Sequence, residues 1–379
     1  MSLLRMDYFF NDNISASNGS YNQVYDLYLE GFARKSVMLV FGIDFYSYVT
    51  PIILLVGLCG NSLSLCVFFS KKMRGMSASR YLAALSISDL MTLIVYVLSE
   101  WLRRGLPTIA RGYYVSFFDR PVVCQVWLYC SYMSRLVSAW LIVTFTFERF
   151  IAVCMPLRRR NLGSLKETHR IITLLIGLSG VIAIYKPVTS EVRALNNRTI
   201  CTSIEKFEYE VFIMDSVYAL IITLVPFIII STLNILIIRK LLNRKMKNKY
   251  NLVTEENSIR LDFTFILLAI SAFFIALNLP FFSMWVKQSL QSRSLHSTLD
   301  HTDHVNFEYW QGVMKITRTI VYVNYCINFF LYSITGACFR RQLKALFTRS
   351  HDSKRASYQY KLTGNGTQCT NVKNRNTWI

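Results

Sequence analysis

The stretch YSYVTPIILLVGLCGNSLSLCVFF, residues 46–69, contains no charged residue and is long enough to cross a lipid bilayer as a helix. A hydrocarbon core about 30 Å thick requires roughly 20 apolar residues per helix. Six further stretches share this character, so the pattern predicts an all-α membrane protein with a seven-transmembrane helix bundle rather than a soluble fold. The predicted spans begin near Tyr46, Arg80, Val122, Ile171, Val211, Asp262 and Val313.

The composition agrees with a chain that crosses the membrane repeatedly. Of its 379 residues 53% are hydrophobic, and the mean hydropathy is +0.33. A net charge of +20 could by itself indicate nucleic-acid binding, but its placement does not. Net charges of +3, +4, +5 and +8 lie in 70–79, 154–170, 239–260 and 336–379. We therefore expect these basic residues to face membrane lipid and acidic partners, with no nucleic acid bound.

The uneven distribution of Lys and Arg also predicts an orientation. The positive-inside rule places the four basic segments in the cytoplasm and the N-terminus outside the cell. N-glycosylation sequons at Asn13, Asn18 and Asn197 lie on the predicted outside. We therefore expect a multi-pass protein of the plasma membrane. Its predicted parts are a glycosylated extracellular tail (1–44), a seven-helix domain (45–348) and a disordered cytoplasmic tail (349–379).

Three predicted spans carry polar side chains at helical spacing, along most of their length. Ionisable groups inside a bilayer normally face a bundle interior or a water-filled cavity, so Asp89, Glu100 and Arg135 indicate an internal cavity. Interhelical hydrogen bonds that only hold the bundle together are the alternative. The stripes consist of Asp89, Leu93, Tyr96 and Glu100; of Ser131, Arg135, Ser138, Ile142, Phe145 and Arg149; and of Arg318, Tyr322, Tyr325, Asn328 and Tyr332.

Short motifs on the predicted spans carry a resemblance to a known family. They are Gly60-Asn61, Leu85-Ser-Ile-Ser-Asp89-Leu90, Glu148-Arg149-Phe150, Pro226, Pro280, Asn328-Phe-Phe-Leu-Tyr332 and Phe339-Arg340. In this order they resemble the rhodopsin-like (class A) G-protein-coupled receptors over nearly the full chain. Asn278 and Asn234 stand where that family has Trp and Tyr. Phe329, in place of the family's Pro, resembles invertebrate neuropeptide receptors, including those for FMRFamide-like peptides.

The resemblance implies a conformational switch and three kinds of site. It implies a short amphipathic helix after the seventh span and a sodium ion that favours the resting state, with no other cofactor or metal. Cys124 and Cys201 both lie on the predicted outside, where disulfides persist, and we expect them to form a bridge. The switch and G-protein contact would use Glu148, Arg149, Phe150, Asn278, Pro280, Asn328 and Tyr332. The sodium ligands would be Asp89, Ser138, Asn324 and Asn328; a protonated Asp89 with bridging waters is the alternative.

The ligand pocket is expected in the outer half of the bundle. Both charge signs together with many aromatic rings suit a peptide. Arg135 would bind a carboxylate or another acceptor of the ligand; pairing with Glu100 or Asp215 in the empty receptor is the alternative. Ser131 argues against an amine ligand, and Tyr322 against retinal. The candidates are Tyr96, Glu100, Ser131, Arg135, Asp215, Tyr218, Phe281, Phe282, Trp285, Arg318 and Tyr322.

The sequence therefore predicts a receptor, not an enzyme, that binds an extracellular neuropeptide and activates a heterotrimeric G protein. A chemosensory receptor for a small molecule is the first alternative, and a membrane transporter is the second. A transporter would show repeated halves or broken helices, and the Glu148-Arg149-Phe150 triplet would then be unexplained. Arrestin and a receptor kinase are further expected partners, the kinase acting on Thr348, Ser350, Ser353, Ser357 and Thr363.

Overall fold

The computed structural model describes residues 37–110, 113–155, 164–195, 198–247, 255–294 and 301–348. Within these residues seven long helices, α1 to α7, form a bundle, and residues 337–348 form a short helix, α8. The all-α seven-helix prediction is confirmed. The bounds are α1 Val37–Phe68; α2 Ser77–Thr92, Leu93–Leu98, Ser99–Arg104 and Leu106–Ile109; α3 Pro121–Cys154; α4 Leu165–Ala183 and Tyr185–Val188; α5 Glu208–Ala219, Leu220–Leu224 and Val225–Lys247; α6 Glu255–Ser294; α7 His301–Val323 and Asn328–Thr335.

Four helices begin at least six residues before their predicted starts. Helix α4 begins at Leu165 rather than near Ile171, and α6 at Glu255 rather than near Asp262. Helix α1 begins at Val37 rather than near Tyr46, so residues 37–44, which were assigned to the N-terminal tail, are helical. Helix α7 begins at His301 rather than near Val313. In α4, α6 and α7 polar or charged residues precede the apolar stretch, so apolarity alone cannot reveal the first turns. In α1 the added residues are apolar up to Asp44, whose charge interrupts the apolar stretch.

Six of the seven helices are long and apolar enough to cross a membrane, and α7 is the exception among the described residues. Its first segment carries four charged residues, Asp303, Glu308, Lys315 and Arg318. The predicted seventh apolar span, which begins near Val313, covers only the last part of this segment. Charged side chains in a spanning helix face the bundle interior, and Arg318, which is only 7% exposed, fits that rule.

A β-hairpin follows α4, which the all-α prediction missed. Strand β1, Ser190–Leu195, pairs antiparallel with strand β2, Arg198–Ser203, and Val192 lies opposite Cys201. A two-stranded hairpin is marginal in isolation. Here the disulfide of Cys201 fastens it to α3, so tertiary contacts stabilise it rather than strand propensity.

Local sequence explains where several helices begin. Ser164 caps α4: its Oγ accepts a hydrogen bond from the Glu167 amide at 3.2 Å, in a Ser-x-x-Glu capping box. Pro121 occupies the first turn of α3, where the missing N–H costs nothing.

Helix α5 contains a π-helical segment, Leu220–Leu224, just before Pro226. Pro226 has no N–H to donate within the helix. Trp140 of α3 donates to the Ile221 carbonyl oxygen in this segment at 3.1 Å.

Helices α1 and α7 approach each other at their glycines. A Cβ on Gly42 would lie 2.5 Å from the Gly312 carbonyl oxygen, and a Cβ on Gly312 would overlap the backbone of Met38. Small residues at a membrane helix interface allow backbones to meet in this way and increase the van der Waals contact between them. The close approach fixes the position of α7 and hence of Arg318.

The break in α7 forms without the family's proline. Turn residues 324–327 separate its two segments, and Asn61 of α1 donates to the Tyr325 carbonyl oxygen at 2.8 Å and to that of Gly57 at 2.9 Å. Phe329 packs on Gly60, where an added Cβ would lie 3.0 Å from the Phe329 Cβ. A cross-helix hydrogen bond therefore satisfies a carbonyl that the broken helix leaves unpaired.

Candidate functional site

A large cavity opens at one end of the helix bundle. We call this end the hairpin end, because it carries the β-hairpin, and the opposite end the Arg149 end. The cavity has a volume of about 1450 Å³ including its open mouth. Helices α2 to α7 and the hairpin contribute to its wall. Because this volume includes solvent at the open mouth, the chemistry of the lining residues indicates what the cavity can bind better than its size does.

Ten of the eleven predicted pocket residues line this cavity. The exception is Tyr322, which is fully buried behind the wall, where its ring contacts those of Tyr46 and Tyr96 at 6.3 and 5.5 Å. The periodicity placed Tyr322 on the correct face but could not show that Tyr96 would cover it. The lining residues predicted from the sequence are Tyr96, Glu100, Ser131, Arg135, Asp215, Tyr218, Phe281, Phe282, Trp285 and Arg318.

The hairpin covers part of the cavity and is fixed at several points. The predicted Cys124–Cys201 disulfide is present and joins β2 to α3. Asp119, whose side chain is fully buried, accepts hydrogen bonds from Arg103 at 2.6 Å and from the Cys201 amide at 2.8 Å. Hydrogen bonds to Glu191 raise the pKa of Arg193, on β1, above its usual range. The hairpin over the cavity is thus fixed to the bundle rather than a free loop.

The two carboxylates that line the cavity both have basic partners within the protein. Asp215 of α5 accepts from Lys186 Nζ, at 2.7 Å to Oδ1 and 2.9 Å to Oδ2, and from the Tyr185 hydroxyl at 2.7 Å. Glu100 of α2 pairs with Arg104 at 3.2 Å and more loosely with Arg318 at 3.7 Å. Neither acid pairs with Arg135.

Arg135 lies instead among aromatic rings at the depth of the cavity. Its guanidinium carbon is 4.2 Å from the ring centre of Tyr96, 4.5 Å from that of Tyr132 and 5.5 Å from that of Tyr218. Its Nε donates to the Ser131 carbonyl oxygen at 3.1 Å. The suggestion that Glu100 or Asp215 pairs with Arg135 in the empty receptor is therefore wrong, because both acids are bound to other cations.

Several cavity residues escaped the sequence analysis. Lys186 and Tyr132 stand out because they join Asp215 and Arg135 into one network. A basic residue at the outer end of the fourth predicted span was a usable signal for Lys186. No periodic signal marked Tyr132, which lies beside the polar stripe of α3. The remaining missed charged and aromatic lining residues are Arg103, Arg104, Phe118, Trp127 and Phe212.

The predicted sodium ligands form a buried polar cluster in the middle of the bundle. Asp89, 1% exposed, accepts from the Ser138 hydroxyl at 2.6 Å and from Asn328 Nδ2 at 2.7 Å. Asn324 is also buried. Among the described residues no Lys, Arg or His lies within 4 Å of Asp89, and no group of three or more His, Cys, Asp or Glu side chains is placed to hold a metal.

The Arg149 end is packed rather than hollow around its arginine. Glu148 Oε2 accepts from Arg149 Nε at 2.6 Å, and Glu148 Oε1 accepts from the Ser77 hydroxyl at 2.9 Å. The Arg149 guanidinium lies over the rings of Phe145 at 5.4 Å and of Phe263 at 5.8 Å. Arg149 is 2% exposed, so α6 closes over it in this conformation.

The other predicted switch residues lie at the Arg149 end or further toward the hairpin end. Tyr332 is fully buried against Phe68 and Phe339. Asn278 donates to the Phe274 carbonyl oxygen at 2.8 Å and lines a separate groove of about 350 Å³ between α5 and α6, not the main cavity. Pro280 lies within α6, and Phe150 is half-buried, with its ring 6.5 Å from that of Phe147. Asn13, Asn18, Asn197, Ser350, Ser353, Ser357 and Thr363 lie outside the described residues.

Comparisons with known proteins agree with this geometry. Residues 60–332 match the family described as the 7 transmembrane receptor (rhodopsin family). The chain is 23% identical to cysteinyl leukotriene receptor 2 of Mus musculus over 81% of this chain and 93% of that protein. It is 28% identical to the thyrotropin-releasing hormone receptor of Gallus gallus over 38% of each chain. The relatives are receptors and not enzymes. The chain is thus a multi-pass membrane protein that belongs to the rhodopsin family of seven-transmembrane receptors.

Proposed function

We propose that this receptor resides in the plasma membrane, binds an extracellular neuropeptide in the cavity at the hairpin end and activates a heterotrimeric G protein at the Arg149 end. The observation that carries the proposal is the polar stripe of α3. It runs from Arg135 in the cavity, through Ser138 at the Asp89 cluster, to Arg149 at the opposite end. One rigid helix thus carries residues of both sites.

The distribution of charge and cysteine supports the orientation. The disulfide and the hairpin lie at one end of the bundle, and disulfides persist outside the cell. The basic segment 70–79, and Arg239 and Lys240 in the last part of α5, lie at the Arg149 end, as the positive-inside rule requires of cytoplasmic connections. Membrane lipid would contact the apolar outer faces of the helices, and arrestin and a receptor kinase would compete for the same cytoplasmic surface.

Activation would be a shift between two conformations. The conformation described here resembles a resting state, because α6 covers Arg149 through Phe263. Asp262 of α6 also accepts a hydrogen bond at 3.0 Å from the Cys338 amide in the first turn of α8. Outward movement of α6 about Pro280 would break this contact and expose Arg149 to the G protein. Agonist and G protein would each raise the affinity for the other.

The central cluster would suit a sodium ion in the resting state. Asp89 is a buried carboxylate with no cation beside it among the described residues, and a buried charge without a partner is costly. The carboxylate, hydroxyl and amide oxygens of Asp89, Ser138, Asn324 and Asn328 are the hard donors that such cations prefer. The bound ion would compensate the charge of Asp89.

The choice of a neuropeptide as ligand rests on the cavity. Its aromatic wall and the presence of both charge signs suit a peptide with its termini and amides. Phe329 supports the likeness to receptors for FMRFamide-like peptides. The relatives are, by name, receptors for thyrotropin-releasing hormone and for cysteinyl leukotrienes. Because basic residues outnumber acidic ones in the lining, an acidic small molecule is the second candidate.

The test is a calcium assay in cells that express the receptor with a promiscuous G-protein α subunit. The library contains amidated neuropeptides, their free acids and acidic lipids. A saturable response to a peptide, lost in Arg149→Ala while surface expression persists, supports the proposal. A response restricted to small acids selects the second candidate. Normal surface expression without any response contradicts the choice of a neuropeptide.

A further inference from the structure

We infer that the ligand of this receptor carries a carboxylate, and that it enters the cavity with this group foremost and binds the guanidinium of Arg135. The inference rests on the proposed function in that it assigns the ligand chemistry of the same cavity. It is separable from signalling, because it concerns binding alone. It narrows the proposed neuropeptide to one that carries a free carboxylate, at its C-terminus or on an acidic side chain.

The cavity wall carries more positive than negative charge. Five basic side chains and two carboxylates line it. Asp215 is bound to Lys186, Glu100 is bound to Arg104, and Arg103 is bound to Asp119 behind the wall. After these pairings the excess charge is positive. Burial of a charge without a counter-ion is costly, so a site with such an excess favours an anion.

Arg135 lies beside aromatic rings rather than beside a carboxylate of the described residues. Among the described residues no carboxylate lies within 4 Å of its guanidinium. A guanidinium has five N–H donors; its Nε donates to the Ser131 carbonyl oxygen and the group also interacts with the Tyr132 hydroxyl, so further donors remain for a ligand. Three tyrosine rings surround its faces at 4.2 to 5.5 Å. These cation–π contacts position the group, and its remaining N–H donors suit a planar anionic partner.

The tyrosine rings around Arg135 are held in place by contacts within the protein. The Tyr218 hydroxyl donates to the Tyr132 carbonyl oxygen at 2.8 Å, and the ring of Tyr96 packs edge-on against Tyr322. Ser131 donates to the Val95 carbonyl oxygen at 2.8 Å, in the π-helical segment of α2. Because these bonds fix the rings, little ordering remains to oppose ligand binding.

A fourth observation comes from the opposite wall. Arg318 of α7 is 7% exposed, and its Nε has no hydrogen-bond partner, while its contact with Glu100 is loose at 3.7 Å. Arg318 is therefore a second donor facing the same cavity. A ligand carboxylate at Arg135 and a further acceptor group near Arg318 would satisfy both, and bidentate pairing with a guanidinium distinguishes a carboxylate from an amide.

The experiment uses purified full-length receptor in lipid nanodiscs and a pair of fluorescent probes, dansyl-phenylalanine and dansyl-phenylalanine amide. The two differ only in the terminal carboxylate. We expect saturable binding of the acid, at least tenfold tighter than the amide. In Arg135→Gln we expect this preference to fall to less than twofold. Lys287→Gln is the matched control, because Lys287 is a cation at the same end that lies over Trp310 outside the cavity; it should keep the full preference.

Equal binding of acid and amide by the unmodified receptor would overturn the inference, as would the absence of saturable binding. These comparisons need no variant, so a misfolded Arg135→Gln cannot leave the question open. An acid preference that survives in Arg135→Gln and disappears in Arg318→Gln would overturn the assignment to Arg135. Because no G protein is present, a failure here is distinct from a failure of the calcium assay.

Discussion

Two arginines lie on the same face of α3, and their surroundings differ in one respect. Arg149 has its counter-ion beside it, in Glu148, under a packed layer of aromatic rings. Arg135 has aromatic rings but no counter-ion, and it faces a cavity. Within the described residues, Glu148 compensates the charge of Arg149, whereas no carboxylate lies within 4 Å of the Arg135 guanidinium. Each prediction below tests one side of this contrast.

The largest effect is expected from Arg149→Ala. It removes the guanidinium that would contact the G protein and leaves Glu148 buried with Ser77 as its hydrogen-bond donor. Hydrogen bonds to a charged group contribute about 1.5–3 kcal/mol, so nucleotide exchange on purified G protein should fall at least about tenfold. Dansyl-phenylalanine binding should stay within about twofold. Arg170→Ala, with a side chain that is 80% exposed, is the control. Unchanged exchange would remove Arg149 from the switch.

Lys186→Gln should destabilise the hairpin end. The side chain of Lys186 is 6% exposed, and its loss leaves Asp215 without its ammonium partner. Breaking a buried pair costs about 3 kcal/mol, at the low end of the usual range because the cavity admits water. The thermal unfolding midpoint of the purified receptor would show this as a drop of several degrees. The double variant with Asp215→Asn should recover most of the loss, and a failure to do so would mean that the pair is not coupled.

Gly312→Ala tests whether the approach of α1 and α7 holds the hairpin end. The added Cβ overlaps the backbone of Met38, so the helices must separate. Overpacking of this kind costs about 2 kcal/mol, measured as the free energy of unfolding. Gly177→Ala is a matched control within α4, because nothing lies within 4 Å of its Cβ position. It should be neutral or slightly stabilising. Equal effects in the two variants would mean that the crossing is not tight.

The smallest effect is expected at the Arg149 end, from Asp262→Ala. It removes the acceptor for the Cys338 amide and so loosens α6 from α8. The loss of about 1 kcal/mol from the closed state should raise basal nucleotide exchange about fivefold. Asp262→Asn keeps an acceptor oxygen and should show a smaller rise. If both variants exchange at the unmodified rate, the contact does not restrain α6.

The helices and the polar stripes were predictable because they depend on local periodicity. Asp89 meets Ser138 and Asn328, and Glu148 meets Arg149, since each lies on the inward face of a helix whose neighbours the topology determines. The stripe also placed Arg135 in the cavity.

The pairing within the cavity was not predictable. Whether Asp215 pairs with Lys186 or Arg135 depends on differences of a few ångströms between three helices, and no single-helix pattern encodes these. The expected disulfide fixes only Cys201 and does not determine strand pairing, and the contact of the Cys201 amide with Asp119 is remote in sequence, so the hairpin escaped prediction. The α7 break at 324–327 also depends on a remote partner, Asn61.

The disulfide that links the hairpin to α3 has a consequence for how the receptor is produced. The disulfide joins residues 77 apart in sequence, and the loop it closes includes all of α4. The transmembrane helices are stabilised by bundle packing, which does not depend on oxidation. A chain synthesised under reducing conditions should therefore insert its helices normally but leave the hairpin unattached at Cys124. Preparations of such a chain would pass a test of secondary structure and fail a test of ligand affinity, so the redox state during synthesis is the quality criterion for any binding study.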